Sequence, residues 1–400
     1  MQGTKDQSPR ALTLGPCIWC LDIEPSCIKY RLSQTHCQHL DLILLGPSGF
    51  ARPIFSEFTP SWCFFPGRLR MRALRSMPLT GVRRKIACES SKNIEYGTDM
   101  KTQKRFSPEL LDRFRRLGRG EGEYEKYIPW HRVGRSDPSS YGRSHLWRRL
   151  DRQHELLSDL ELIVFYFSTM LPSVVDIREQ FPLKLLNAKH ELDKPRWKRP
   201  WSNIHYPGTQ QIALQMSARH PKVSSKDRSA SWVMTTDLLI TLKSPQGCDE
   251  LLAVSVKPNG EVDDGRTHEK LAIEREYWKL RQVPWLLITP ALYHSSVADT
   301  LRITTGWAFS KAASDSGITH VAMSADQLNG RSLTYAYETL AGYFGNRETA
   351  RDAFWQAVWC GRLPIDMRRG WRPHEPIRIL SSEDFWRLNP IASRRTSWPA

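Results

Sequence analysis

The segments WVMTTDLLITL, residues 232–242, and LLAVSVKP, residues 251–258, decide the fold of this chain. Both are apolar and rich in residues that favour strands, and the stretch between them contains a Pro-Gln-Gly turn signal. The two segments are therefore predicted to form a β-hairpin. Because side chains alternate between the faces of a strand, antiparallel pairing would bring Asp237 and Lys257 to one side.

Helical and strand patterns alternate on both sides of this hairpin. Ser158 followed by Glu161 forms a capping box, and apolar residues at i, i+3, i+4 and i+7 then predict a helix with one core face. The remaining predicted elements are, in order, a strand at 174–183, a charged helix at 266–282 and a strand at 283–289. This order predicts a mixed α/β domain over residues 151–295.

The two ends of the chain differ in their pattern of apolar residues. Beyond residue 296 the pattern is mostly helical, and PIRIL at 376–380 reads as a possible strand, so a winged-helix-like domain is predicted at 296–385 with a tail at 386–400. Residues 1–100 show neither the helical nor the strand period of apolar residues. They are expected to be a disordered leader or an extended translation start. The cysteines and histidines that follow CIWC there match no standard zinc spacing.

The charge of the chain points to a polyanionic partner. Lys and Arg total 58 against 42 Asp and Glu, a formal net charge of +16. A basic arm at 101–150 interleaves arginines with Tyr and Trp, and either contacts DNA or is a solvated connector. Its candidate DNA-binding residues are Arg116, Arg119, Arg143 and Arg148. No apolar run approaches the roughly 20 residues needed to span a bilayer, and no secretory signal is evident, which favours a reduced, cytosolic protein.

Two acids and a lysine are candidates for chemistry. Glu161 lies in the first turn of its helix, Asp237 lies inside an apolar strand where a lone carboxylate is costly to bury, and Lys257 ends the next strand. Carboxylates suit Mg²⁺, the metal activates water, and an ammonium group stabilises developing negative charge. Together they predict hydrolysis of phosphodiesters, although capping alone explains Glu161 and exit into solvent alone explains Lys257.

A series of sequence blocks occurs in a recognisable order between residues 104 and 290: GRGEGEYEKYIPW, GRSH, HELLSDLELIVFYF, VVDIREQFPL, VMTTDLLIT, SVKP and RTHEKLAIEREYWKLRQVPWLLIT. Together they resemble the TnsA family, the endonuclease subunits of heteromeric cut-and-paste transposases in bacteria. The resemblance is weaker in the C-terminal part and absent before residue 100. Two departures are Ser255, where the family motif often has Gln, and the apparent insertion at 192–208.

The resemblance implies a restriction-endonuclease-like catalytic core with Glu161, Asp237 and Lys257 as catalytic residues. It also implies Mg²⁺, with Mn²⁺ tolerated, held by Glu161, Asp237, Ser255 and Val256. The expected activity is cleavage at the 5′ ends of the transposon, beside a DDE-type recombinase (TnsB-like) that acts on the 3′ ends and an AAA+ ATPase regulator (TnsC-like). The expected location is the bacterial cytoplasm, at the nucleoid when active.

Two other functions remain open at this point. One is a stand-alone nuclease of the same fold, such as a restriction or resolvase enzyme, which would need no partner. The other is a DNA-binding adaptor that links recombinase and ATPase without cutting DNA. The intact Glu161, Asp237 and Lys257 argue against the adaptor, whereas Ser255 in place of a longer amide keeps it open.

Overall fold

The computed structural model describes residues 106–134, 143–193 and 204–399. The predicted leader at 1–100, with its cysteine and histidine motif, lies outside these residues, as does part of the basic arm. None of the described helices is both long and apolar enough to cross a bilayer.

The part of the chain up to residue 288 is built from short helices and a central sheet. Its helices are α1 (Pro108–Arg116), α2 (Asp159–Thr169), α3 (Thr209–Gln215) and α4 (Gly265–Leu280). Its strands are β1 (His145–Arg149), β2 (Arg152–Leu156), β3 (Val174–Pro182), β4 (Lys222–Ser224), β5 (Ser229–Ser231), β6 (Thr235–Lys243), β7 (Asp249–Val256) and β8 (Trp285–Ile288). The sequence patterns predicted α2, β3, β6, β7, α4 and β8, but not α1, α3 or the small hairpins β1–β2 and β4–β5.

The central sheet has the strand order β3-β6-β7-β8. The predicted hairpin is confirmed: β6 pairs antiparallel with β7, and Leu238 lies opposite Val254. The chain then crosses over through α4, so β8 runs parallel to β7. The sheet is therefore mixed, as predicted for an α/β domain.

Both faces of this sheet are covered. On one face, Leu238 of β6 and Val254 of β7 share a core with Phe165 of α2. On the other face, Leu239 packs with Trp278 of α4. Each fully buried large apolar side chain contributes roughly 1.5–3 kcal/mol to folding. The alternation read from the sequence thus produces two cores, and the sheet holds α2 and α4 on opposite sides.

The region beyond β8 is helical. It contains α5 (Ser295–Ala308), α6 (Asp315–Met323), α7 (Ala325–Leu328), α8 (Leu333–Phe344), α9 (Arg347–Trp359) and α10 (Ser382–Arg387). The strand predicted at 376–380 was wrong, because this segment makes only isolated bridges, Ser332 with Pro376 and Ile365 with Ile379. A short apolar run matches a strand pattern, but only neighbours with free backbone groups can complete a ladder.

These helices pack directly on the central sheet. The core that contains α2 continues through Leu301, Leu340 and Trp355. The indole of Trp359 donates to Thr169 Oγ1 at 3.1 Å, which joins α9 to the end of α2. The C-terminal residues of the described chain return to the sheet, where Ser397 N donates to Leu287 O at 2.8 Å. This segment covers the edge of β8.

Candidate active site

Glu161 enters the site from the first turn of α2. Ser158 is the N-cap, and its hydroxyl accepts the Glu161 N–H at 3.1 Å. The carboxylate returns to accept the N–H of Leu157, the residue before the N-cap, at 2.9 Å. The predicted cap at Ser158 is thus confirmed, with the return bond shifted by one residue from that of a standard capping box. The same Oε2 also accepts a contact from Gln180 Nε2 at 3.3 Å, on the side that faces Asp237. Capping therefore orients the Glu161 carboxylate toward the site, and it is compatible with a second role for this carboxylate there.

Asp237 and Lys257 meet at the open end of the β6–β7 hairpin. The ladder between the strands ends at Leu238 and Val254, and beyond it the Asp237 carboxylate accepts the Val256 N–H at 2.7 Å. Lys257 Nζ lies 3.5 Å from Asp237 Oδ2 and donates to Val256 O at 2.9 Å. The side chain of Asp237 thus takes the place of a backbone acceptor, which holds it beside the strand that ends in Lys257.

A third carboxylate, Glu274 of α4, was missed by the sequence reasoning. It accepts hydrogen bonds from Thr236 Oγ1 and Ser255 Oγ, both at 2.6 Å, and is buried. A signal for it existed: Glu274 lies three residues after Leu271 and four before Trp278, on the buried face of its helix. An acid on such a face is costly to bury without partners.

Of the four residues expected to bind metal, the structure links Asp237 to Glu161 through Gln180 and directly to the Val256 N–H, whereas Ser255 is bonded elsewhere. Glu161 and Asp237 lie together, bridged by Gln180. Ser255 bonds instead to Glu274 and to the indole of Trp285, and the Val256 carbonyl accepts from Lys257. The hydrogen bonds of Ser255 therefore connect it to α4 and β8, not to the Glu161–Asp237 pair.

The electrostatics of this site show a deficit of positive charge. Burial, together with the charge of Asp237, raises the pKa of Glu161 from 4.5 to about 8. The same two causes raise the pKa of Glu274 to about 7. The neighbouring Asp237 raises the pKa of Lys257, which keeps its ammonium charged. The three carboxyl groups carry more potential negative charge than the single ammonium group neutralises. The site can therefore accept a further cation.

The donor set fits a hard divalent cation. Among the described residues, no group of three or more His, Cys, Asp and Glu side chains is arranged to hold a metal ion. The buried pair Glu161 and Asp237 offers oxygen ligands only, and Mg²⁺ is commonly held by one or two carboxylates while it keeps several waters. A cation there would also offset the charge that raises the pKa of Glu161.

We predict that the metal-free protein loses stability as pH rises from about 4.5 toward 8. Across this window folded Glu161 keeps its proton while the unfolded chain releases it, so each rise in pH favours unfolding. The expected cost above the folded pKa is on the order of a few kcal/mol. Thermal melts in EDTA should show Tm falling through the window, and Glu161→Gln should flatten the curve and raise Tm at pH 8.

The control is Glu383→Gln, which alters a carboxylate that is 76% exposed. This variant should keep the pH dependence of the wild-type protein, because an exposed carboxylate has nearly the same environment in both states. A wild-type Tm that stays level or rises between these pH values contradicts the prediction.

The predicted DNA-contacting arginines divide into two kinds. Arg116 and Arg148 are exposed. Arg143 is exposed and pairs with Asp159 at 3.4 Å, close to the turn that carries Glu161. Arg119 has a structural role, because it donates to Trp130 O at 3.1 Å and stacks over Phe114.

The aromatic residues of the arm serve packing. Tyr127 and Trp130 are buried, and Trp147 packs edge-on against Tyr166. Stacking of these rings on bases is therefore not supported among the described residues, whereas the exposed arginines leave phosphate contacts open. Arg135 and Tyr141 lie outside the described residues.

The fold and the site together define a class of protein. A mixed sheet flanked by helices, with acids and a lysine gathered where adjacent strands end, fits an α/β nuclease. Residues 171–290 match the family model described as the TnsA-like endonuclease N-terminal domain. This part of the chain is therefore similar to the TnsA-like endonuclease N-terminal domain, and it contains Asp237, Lys257 and Glu274. Glu161 lies before the matched residues.

A curated relative supports the same assignment. The chain is 39% identical over 191 residues to the protein named "Transposon Tn7 transposition protein TnsA" of Escherichia coli. The similar region covers 47% of this chain and 59% of the relative, so less than two thirds of the relative is matched. The resemblance to the TnsA family is thus confirmed, by the family model over residues 171–290 and by the relative over 191 residues.

Proposed function

We propose that this chain is the endonuclease subunit of a heteromeric transposase and hydrolyses phosphodiesters at the 5′ ends of a transposon. The observation that carries the proposal is the junction of Asp237 and Lys257, 3.5 Å apart, inside a domain that matches TnsA-like endonucleases. The three residues proposed as catalytic are Glu161, Asp237 and Lys257. The core is proposed to be restriction-endonuclease-like and residues 296–385 to be a winged-helix-like domain.

Glu161 and Asp237 are the proposed ligands of Mg²⁺, or of Mn²⁺ in its place. When bound, the metal would polarise the phosphate and lower the pKa of a coordinated water. The chain itself supplies charge and orientation. Glu161 must give up the proton that its raised pKa retains near neutral pH before it can act as an anionic ligand. Ser255 enters the proposal only through its bond to Glu274.

Lys257 is proposed to stabilise the negative charge that develops on the phosphate during cleavage. Its backbone N–H donates to Ile288 O at 3.1 Å, and its ammonium is held by Asp237 and the Val256 carbonyl. The strand therefore acts as a rigid support that limits where the charge lies. Lysine suits this role because it places a compact charge at the end of a long side chain.

The proposed partners follow from charge and from the relative. A net charge of +16 fits double-stranded DNA, and the exposed Arg116 and Arg148 are candidate phosphate contacts. The protein that this chain resembles is a transposition protein, so a TnsB-like recombinase and a TnsC-like ATPase are the proposed protein partners. The protein would then act at the nucleoid.

The function is tested by incubating the full chain with DNA that carries a transposon end, Mg²⁺ and, in a parallel reaction, a TnsB-like recombinase that recognises the same end. We expect cleavage at the 5′ end only when the recombinase is present. Efficient cleavage by the chain alone would support a stand-alone nuclease instead. Binding of the DNA and recombinase without any cleavage, in Mg²⁺ and in Mn²⁺, would support the adaptor.

A further inference from the structure

Gln180 of β3 lies between the two carboxylates proposed to hold metal. Its Nε2 is 3.3 Å from Glu161 Oε2 and 3.5 Å from Asp237 Oδ1. Its Oε1 accepts from Thr235 Oγ1 at 3.3 Å, which directs the amide nitrogen toward the acids. The side chain is 3% exposed, so solvent does not compete for these contacts. Gln180 is thus the side chain that joins α2 to β6 across the site.

The backbone of Gln180 is strained. Its φ is +49°, in the left-handed region that residues with a Cβ rarely adopt. Such a conformation persists only where the surrounding structure imposes it, and it is concentrated at functional sites. Here it occurs inside a strand, at the residue whose side chain reaches both acids.

The neighbouring residue anchors this conformation. The buried carboxylate of Glu179 accepts from Arg152 Nη1 at 2.8 Å and lies 3.0 Å from His154 Nδ1. Its carbonyl accepts the Tyr127 hydroxyl at 3.0 Å. Buried groups paired in this way are costly to disrupt, because removing one partner leaves the other charge unpaired. The cluster on β2 and β3 therefore fixes the chain on one side of Gln180.

A second contact fixes the other side of the peptide. Trp130 N donates to Gln180 O at 3.3 Å, and Trp130 is itself buried against Phe114. The strained residue is thus held through both its own carbonyl and the residue before it. These contacts supply the support that an unfavourable φ needs in order to persist.

We infer that Gln180 is a positioning residue, whose amide holds Glu161 and Asp237 in the orientation and separation needed to bind a divalent cation. The inference rests on the proposed function and extends it to a residue outside the predicted site. An amide suits this role because it donates two N–H groups without adding charge. A lysine here would neutralise the acids and compete with the cation, whereas glutamine leaves the negative charge available.

The test measures binding of Mn²⁺ itself to the full chain by titration calorimetry, and the spectrum of the bound ion by electron paramagnetic resonance. Gln180→Met keeps the size of the side chain and removes both donors. Gln180→Gly removes the side chain but accepts the positive φ, so it is the variant expected to fold with least disturbance. We expect Mn²⁺ binding to weaken by about 10-fold or more in both variants. The spectrum of the bound ion should also change.

The matched control is Gln210→Met. Gln210 on α3 is a partly buried glutamine whose amide donates to Ser231 Oγ at 2.6 Å, away from the acids. This variant should bind Mn²⁺ like the wild-type protein. The rise in Tm that Mn²⁺ produces should shrink in both Gln180 variants and stay unchanged in the control, because weaker binding shifts the folding equilibrium less.

The outcomes separate this inference from the proposed function. If Gln180→Gly binds Mn²⁺ with the affinity of the wild-type protein and the spectrum of the bound ion is unchanged, the positioning role is overturned while the nuclease function is not. Binding of Mn²⁺ by the wild-type protein without any cleavage overturns the nuclease function alone, since the affinity comparison still holds. Failure of the wild-type protein to bind Mn²⁺ overturns both.

Discussion

Asp237→Asn should lower the rate of 5′-end cleavage by about 10³-fold. The change removes one negative charge from the proposed ligand pair and leaves the shape of the side chain almost unaltered. The remaining carbonyl oxygen still accepts the Val256 N–H, which Asp237 holds at 2.7 Å, so the end of β6 should stay in place. Cleavage is measured as the rate of 5′-strand nicking in the presence of recombinase and Mg²⁺.

The same variant should not lose stability without metal. The charge of Asp237 contributes to the raised pKa of both Glu161 and Glu274, so removing it relieves repulsion among buried acids. A preserved or raised Tm in EDTA, together with lost cleavage, would show that the defect is chemical. Cleavage within a few-fold of wild type would remove Asp237 from the catalytic site.

Lys257→Met should lower the cleavage rate by about 10²-fold or more while Mn²⁺ binding persists. Methionine keeps much of the aliphatic length of lysine but has no charge to offer the phosphate. The acids beside it remain, so the metal affinity should be unchanged or higher once the competing ammonium is gone. Calorimetry with Mn²⁺, run beside the nicking assay, separates the two effects. Loss of binding equal to the loss of cleavage would indicate a structural role instead.

One control pair serves both predictions. At the turn end of the same hairpin, Lys243 Nζ lies 2.7 Å from Asp249 Oδ1. This acid and lysine occupy the same two strands as Asp237 and Lys257 but lie at the opposite end. Asp249→Asn and Lys243→Met should therefore change Tm more than they change the cleavage rate. A comparable loss of cleavage in these controls would show that any damage to the hairpin is sufficient.

Local patterns in the sequence predicted much of the nuclease fold. The β6–β7 hairpin follows from two apolar runs with a turn between them, and α2 follows from a capping box before an apolar helical period. Asp237 stood out for the same kind of reason, since a carboxylate inside an apolar strand needs a partner. These signals lie within a few residues of each other, where the chain alone limits the possible conformations.

Other features of the structure leave no signal in the local sequence pattern. The left-handed φ of Gln180 is supported by residues from distant parts of the chain. His154 contacts the neighbouring Glu179, and Trp130 N donates to the carbonyl of Gln180 itself. The segment at 376–380 has the apolar pattern of a strand but finds only isolated bridging partners. In both cases the outcome depends on what packs beside the residue, and periodicity does not report that.

The sequence by itself determined the hairpin, the helix that carries Glu161 and the two residues that meet at the end of the strands, because each depends on local propensity and alternation. Only the tertiary structure decided that Glu274 and Gln180 join them. Glu274 reaches the site because α4 packs across the sheet, with bonds to Thr236 and Ser255. Contacts between residues far apart in the chain form when whole elements pack, so they are properties of the assembled cores.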